Sequence, residues 1–344
     1  MQAAFRVDAS AAIGSGHLMR GLVLADALRR RKVQSLFLCR GGPDHPGDVL
    51  AEHGHAVHLL PPLDNPLDDA VATAAHLDSR IDWLIVDHYA LDHRWESPLR
   101  HRARRLMIID DLANRRHDGD ILLDPNLLPD MNERYDRLLP PSCRRLLGPS
   151  FALLRREFAE AAAAPPRTRD HLKRLLISFG GSDPGNATGR VLHEITPLPL
   201  DADVVAGQAC PHLDDIQNLC RASNGRWTLH VQTRQMASLM ARCDLALGAG
   251  GSSHWERCTM GLPALVTAIA DNQILSSRAL AEAGACRYLG ESHSIPPGAW
   301  RRALQTLMDD PAPLAAMSRA ARSIVPDANG ADRVADILIQ EASP

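Results

Sequence analysis

Short apolar runs alternate with stretches of helical spacing along nearly the whole chain, and this alternation does most to narrow its possible folds. In the first half the runs are 3–7, 33–39, 56–60, 83–87, 106–110, 121–123 and 146–148. Between them lie apolar positions 18, 22, 25 and 28 at helical spacing, then the amphipathic segments 47–52, 67–77 and 92–102. Strands separated by helices predict βαβ units and a parallel sheet covered on both faces. The second half repeats the pattern without repeating the sequence, with runs at 175–179, 204–205, 228–231, 245–247, 264–266 and 287–289. Helical stretches at 299–308, 314–323 and 331–341 close the chain, the last set apart by Pro326.

Around residues 161–169 four alanines give way to Pro165, Pro166 and a basic segment. Two prolines end whatever helix precedes them, so this segment reads as a linker. The expected division is a first domain over 1–160 and a second over 170–325. A final segment, 326–344, would send its helix back to the first domain. The fold class is therefore α/β, with two doubly wound, Rossmann-like domains facing a central cleft. Ligands of such domains bind at the carboxyl ends of the strands.

Composition removes several function classes. Aromatic residues are only 4% of the chain, too few for a base-stacking platform, and a net charge of −3 with interspersed signs does not suit a phosphate-backbone binder. No nucleic-acid partner is expected. The basic cluster Arg100, Arg102, Arg104 and Arg105 reads as the solvated end of a helix. The N-terminus shows no basic region followed by a long apolar one, and no run approaches the roughly 20 apolar residues that span a bilayer. The seven cysteines are scattered, without a C-x-x-C pair, which reads as a reduced set. A cytoplasmic monomer without membrane association is expected.

Two glycine turns carry the chemistry. The first, Gly14-Ser15-Gly16-His17, sits where the run 3–7 gives way to a helix. Free N–H groups and the helix dipole suit that position to a phosphate, and Gly14 and Gly16 let the backbone approach a ligand. The third glycine of a dinucleotide fingerprint would fall at Met19, so that match fails. In its place stands His17, a side chain type that exchanges protons near neutral pH. A turn whose histidine merely caps or packs is the alternative. The second turn runs from Gly248 through Gly250, Gly251, Ser252 and Ser253 to Glu256. Either serine can cap the new helix, and the same N–H groups can grip a phosphate. Two such turns suit a diphosphate ligand better than one. Downstream come Gly261-Leu262-Pro263, another apolar run, and Asn272-Gln273 at a helix start.

Rival chemistries are weaker. Asp87, His88, Asp110 and Asp111 fall at two strand ends, where oxygen-rich clusters can hold Mg²⁺ for phosphoester cleavage. Bracing of loops through side-chain hydrogen bonds is the other reading of them. His53, His55 and His58 span a loop and a strand start and suggest no ligand set. No G-x-S-x-G elbow occurs, which disfavours serine hydrolase chemistry.

The order of glycine turn, helix Glu256, Gly-x-Pro, strand and Asn-Gln resembles nucleotide-sugar enzymes of the GT-B glycosyltransferase fold. Within that group the chain is similar to the UDP-2,4-diacetamido-2,4,6-trideoxy-β-L-altropyranose hydrolases of pseudaminic acid biosynthesis. The stretches that carry this likeness are 6–10 with 13–20, 86–92, 109–115, 147–155, 177–183, 248–258 and Asn272-Gln273. The resemblance implies attack of water on the anomeric carbon of a UDP-linked sugar, with inversion and release of UDP. His17 matches the catalytic histidine. Glu256 is implied on the ribose, and Tyr89 and Asn272 on the sugar side, with Gln273 at the cleft. Gly14, Gly16, Gly181, Ser252 and Ser253 are the remaining candidate binding positions. The likeness implies neither a metal nor a cofactor. A glycosyltransferase using the same donor is the nearest alternative. One departure is Gly21, where a larger residue, often cysteine, is expected.

Overall fold

The structure, a computed structural model, describes residues 1–8, 16–42, 45–63, 65–77 and 80–342. The chain forms two compact units: residues up to Leu154 together with those from Asn329 onward, and Arg155–Ala328. The division falls between Leu154 and Arg155, ahead of the alanine-proline segment. The helix Arg156–Ala162 belongs to the second unit, and the arginines after the prolines are tied down there too. Arg167 pairs with Asp244 at 2.6 Å, and the buried Arg169 donates to the carbonyls of Met240 and Cys243.

The first unit holds a parallel sheet made of β1 (Gln2–Val7), β2 (Gln34–Arg40), β3 (Ala56–Leu60), β4 (Ile81–Asp87), β5 (Ala103–Ile109), β6 (Ile121–Asp124) and β7 (Arg144–Leu147). Their spatial order is β3-β2-β1-β4-β5-β6-β7. The second unit holds β8 (Arg174–Ser178), β9 (Asp201–Ala206), β10 (Trp227–Val231), β11 (Leu245–Ala249), β12 (Ala264–Ala268) and β13 (Arg287–Glu291), in the order β10-β9-β8-β11-β12-β13. Each order reverses direction once, between β1 and β4 and between β8 and β11. Those two crossovers are where doubly wound sheets take ligands.

The central strands are nearly all apolar because both faces are covered, whereas the edge strands β3, β7, β10 and β13 are more exposed. In the first unit Phe5, Phe37, Trp83 and Ile85 are wholly buried, and the Phe5 and Phe37 rings stack 4.8 Å apart. This stack accounts for Gly21. A Cβ there would stand 3.3 Å from Phe37 and 3.5 Å from Val7, so the phenylalanines fill the space a larger residue would take. The helix Gly330–Ala342 packs on the helix Gly16–Arg30, and the Leu338 carbonyl accepts from Trp83 Nε1 at 3.0 Å. Arg31 adds ion pairs to Asp332 and Asp336, each at 2.6 Å.

One expected helix takes another form. Segment 92–102 is a single α-turn, His93–Glu96, continued as a 3₁₀ turn, Ser97–His101. Pro98 lacks the N–H that a longer α-helix would need. The basic cluster is consequently dispersed rather than gathered at a helix end. Arg100 pairs with Asp118 and Asp120, while Arg104 and Arg105 lie within β5, Arg105 pairing with Glu341. The seven cysteines are free and buried. No helix among the described residues is long and apolar enough to cross a membrane.

Candidate active site

His17 lies on the first turn of the helix Gly16–Arg30, next to the crossover of the first sheet, and is buried. Asp87, the last residue of β4, accepts a hydrogen bond from His17 Nδ1 through Oδ1. Arg20, one helical turn after His17, grips the same carboxylate twice: Nε donates to Oδ2 at 2.9 Å and Nη2 to Oδ1 at 2.8 Å. Burial pushes the Asp87 carboxyl up, but the Arg20 guanidinium and His17 outweigh it and hold the group well below the usual carboxylate range. Asp87 is therefore an anion that needs donors. Arg20 Nη2 also stands 3.1 Å from His17 Nδ1. An arginine has no acceptor, so two donors converge here on one carboxylate oxygen rather than bonding each other. This assigns the imidazole proton to Nδ1 and leaves Nε2 as the acceptor of the neutral ring.

Tyr89 stands beside the pair, its ring edge-on to His17 at 4.5 Å between centroids. Its hydroxyl donates to Asp111 Oδ2 at 3.2 Å, and Arg20 Nη1 reaches the same oxygen at 3.4 Å. Burial and the Asp111 charge push the phenol up, so Tyr89 stays protonated. Arg20 thus joins two carboxylates, one holding His17 and the other Tyr89. A cavity of about 240 Å³ opens beside them, lined by Asp8, His17, Arg40, His88, Tyr89 and Ala90. His88 accepts from the Ala90 N–H at Nδ1 and donates from Nε2 to Asp8 at 2.9 Å, which fixes its tautomer.

Gly16 opens the helix, and a Cβ there would meet nothing within 4 Å, so internal packing does not demand glycine. Gly14 lies outside the described residues. The four side chains of the metal alternative are already engaged. Asp110 accepts from Arg115 at 2.7 Å and from the Ala113 N–H at 2.8 Å, the loop-bracing role read from sequence. Asp87 differs from that reading, because it orients an imidazole instead of bracing a loop. Among the described residues no group of three or more His, Cys, Asp or Glu is arranged to hold a metal.

In the second unit the candidates gather at the carboxyl ends of β8, β11 and β12. Gly181 follows β8 and is exposed, and its carbonyl accepts from the Gly207 N–H at 3.0 Å. After β11 the chain turns through Gly250 and Gly251, the latter at φ +84°, into the helix Ser253–Thr259. A Cβ on Gly250 would stand 2.8 Å from Gln273 Cβ and from Ser277 Oγ, so only glycine fits against the next turn. Gln273 accepts from the Ile269 N–H at 3.0 Å, and Asn272 is in the same 3₁₀ turn, Asp271–Gln273. Ser252 does not cap the helix as its sequence position suggests. It adopts helical backbone angles, φ −56° and ψ −27°, and makes no side-chain cap bond. A capping side chain needs extended angles to fold back on the N–H groups. The helix Ala187–Ile195 after β8 is the opposite case, since Asp183 accepts from the Ala187 and Thr188 N–H groups.

Glu256 faces Arg155, whose Nη2 donates to Oε1 at 3.3 Å. Burial pushes the Glu256 carboxyl up, and Arg155 opposes that rise. Beneath the turn His254 is wholly buried. It accepts from Arg257 at Nδ1 (2.9 Å) and donates from Nε2 to Ser277 (3.1 Å). Burial and the Arg257 charge push its imidazole well below the usual range, so it stays neutral. Sequence reading missed Asp87 as a partner of His17 and missed Arg20, Asp111, His254 and Arg257. Arg20 was recoverable, being three residues from His17 on one helix face.

The architecture matches solved structures across its whole length. MurG of Acinetobacter baumannii superposes with a TM-score of 0.68, covering 99% of this chain and 100% of that one at 17% identity. The chain has the GT-B fold. No protein-family model matches the sequence of this GT-B chain. It is 26% identical over 243 residues to the UDP-2,4-diacetamido-2,4,6-trideoxy-β-L-altropyranose hydrolase of Campylobacter jejuni, 70% of this chain and 81% of that one. It is 30% identical over 175 residues to the UDP-N-acetylglucosamine–N-acetylmuramyl-(pentapeptide) pyrophosphoryl-undecaprenol N-acetylglucosamine transferase of Gloeobacter violaceus, 48% of this chain and 47% of that one. Two other curated relatives are matched over little more than half their length, 55% and 57%.

Proposed function

We propose that this GT-B chain processes UDP-sugars, and specifically that it hydrolyses a UDP-linked 2,4-diacetamido-2,4,6-trideoxy hexose, without metal or cofactor. The observation that carries the reading is the imidazole of His17, held through Nδ1 by an ionised Asp87 and bordering a cavity. In this reading water donates its proton to His17 Nε2 as its oxygen bonds the anomeric carbon. The carbon–oxygen bond to the β-phosphate breaks, the configuration inverts, and UDP leaves with the electron pair. Asp87 and Arg20 hold the ring in the tautomer the step needs and offset the imidazolium that forms. Tyr89, its hydroxyl proton held by Asp111, would line the sugar side of the site.

The second unit would receive UDP. Its uncapped turn at Gly251–Ser253 would offer N–H groups to the diphosphate, the Gly250 N–H being held by the Thr267 carbonyl, whereas Asp183 already occupies the neighbouring helix start. Glu256 would accept the ribose hydroxyls, with Gly181, Asn272 and Gln273 around the ligand. Likeness to the Campylobacter hydrolase supports water as the acceptor. Likeness to the Gloeobacter transferase favours a second reading, transfer of the sugar to another hydroxyl.

Incubation with the UDP-sugar alone separates them. Steady UDP release is expected of the hydrolase, and UDP that appears only with an acceptor would establish the transferase. Turnover in ¹⁸O-water should put the label in the sugar. Label in UDP would mean attack at phosphorus and would overturn the role given to His17.

A further inference from the structure

Helix Ser253–Thr259 turns one cation inward. Arg257 is 4% exposed, and its Nη2 donates to the Ala249 carbonyl and to His254 Nδ1, both at 2.9 Å. Its Nε is buried with no hydrogen-bond partner. Among the described residues no carboxylate stands within ion-pairing distance of it. Glu256, its neighbour in sequence, turns to Arg155 instead. His254 is neutral and supplies no counter-charge. The guanidinium lies directly behind the glycine turn, with Nη1 3.2 Å from the point a Cβ on Gly248 would occupy. Buried charges are ordinarily paired, because stripping water from a lone ion is costly. Here a positive charge lies behind residues 248–251 without a direct ion-pair partner, Glu256 acting on it only from beyond contact, where little solvent screens it.

We infer that Arg257 is the specificity-determining charge of the second unit, making the turn at residues 248–253 prefer a nucleoside diphosphate to the uncharged nucleoside. It acts through the field it projects and through the Ala249 carbonyl it holds, not by touching the ligand. The inference rests on the proposed reading that UDP binds at this turn, and it adds what sets the preference.

Calorimetry of the full chain with UDP and with uridine tests it. Arg257→Gln removes the charge and keeps an amide donor. UDP affinity is expected to fall about tenfold or more, with uridine affinity held within about twofold. Arg257→Lys keeps the charge and should keep most of the preference. If wild-type protein binds no UDP, the functional reading fails first. If it binds UDP and Arg257→Gln weakens both ligands equally, or neither, only the role of Arg257 is overturned. A lysine variant that loses the preference as fully as glutamine overturns it too. Should Arg257→Gln not fold, thermal melting with inorganic pyrophosphate against sodium chloride of equal ionic strength decides. Pyrophosphate-specific stabilisation of both wild type and Arg257→Lys supports the inference. Its absence in either one overturns it.

Discussion

At the crossover of the first sheet, charged side chains are locked onto one another: His17 and Arg20 on Asp87, Arg20 and Tyr89 on Asp111. At the crossover of the second, a turn through Gly251, Ser252 and Ser253 carries no side-chain cap, and a buried arginine without an ion-pair partner lies behind it. The second sheet repeats the order of the first six strands of the first, and both sets lie at the carboxyl ends of strands flanking the crossover, His17 after β1 and the glycine turn after β11. What differs is the work each end can do. A pre-paired network holds one imidazole nitrogen in a chosen state, which suits proton transfer. An open turn with unspent positive charge suits an anion. Two sheets of like order thus offer a crossover each, and in the proposed reading side chains divide chemistry from binding between them.

The largest effect expected from breaking this division is on turnover. His17→Ala should cut the rate by about 10²–10⁴-fold while UDP affinity stays within about twofold. His17→Asn should be nearly as poor, since an amide positions water but takes no proton. A near-normal rate in either would reduce the first crossover to a binding site. Asp87→Asn should follow closely, with a loss of roughly 10²-fold or more, because an amide can turn the ring to the wrong tautomer. Steady-state kinetics alongside UDP calorimetry reads both.

The second crossover should show the converse. Glu256→Ala should lower UDP affinity roughly tenfold to a hundredfold, the worth of a charge-assisted hydrogen bond of about 1.5–3 kcal/mol. Single-turnover rate at saturating substrate should change far less. A variant that binds UDP normally yet turns over slowly would erase the contrast between the two ends.

The smallest effect is on stability and sharpens the electrostatic side. Tyr135 has one hydroxyl proton and faces both Asp110 Oδ2 (3.2 Å) and Asp124 Oδ2 (3.0 Å). Burial pushes Asp124 up to about 6, with the Asn126 N–H and Arg134 opposing. A folded-state value above the unfolded one means the native state holds the extra proton. The stabilisation is then complete below about pH 4 and is lost as pH rises through about 6, roughly 1–3 kcal/mol in all. Asp87, held low, has the opposite sign: its contribution is present above about pH 4 and lost as pH falls further. Urea melts between pH 4 and 7 should show a falling component that Asp124→Asn removes. An unchanged slope in that variant would place the trapped proton elsewhere.

The architecture was legible in the sequence because periodicity reports burial directly: 83–87 and 106–110 are apolar since both faces of the sheet are covered. His17 was legible because glycines marked its turn. Asp87 was not, for its link to His17 spans 70 residues and depends on β4 lying beside β1, which periodicity does not encode. Ser252 misled because residue type signals a cap, while its helical backbone angles, which no single residue type encodes, decide against one. Arg257 was hidden because its residue type signals a solvated side chain, and only the fold turns it inward.

The helix Gly330–Ala342 that packs on the first unit bears on how the protein is made. Arg155–Ala328 is one continuous stretch, so it can fold as soon as the ribosome releases it. The first unit begins earlier yet finishes later, because its Trp83 awaits the Leu338 carbonyl. Until that helix emerges, the part of the apolar face that Val334, Ala335 and Leu338 cover would stand open beside helix Gly16–Arg30, prey to chaperones and proteases. The unit that carries His17 thus starts before the second unit and is completed only after it.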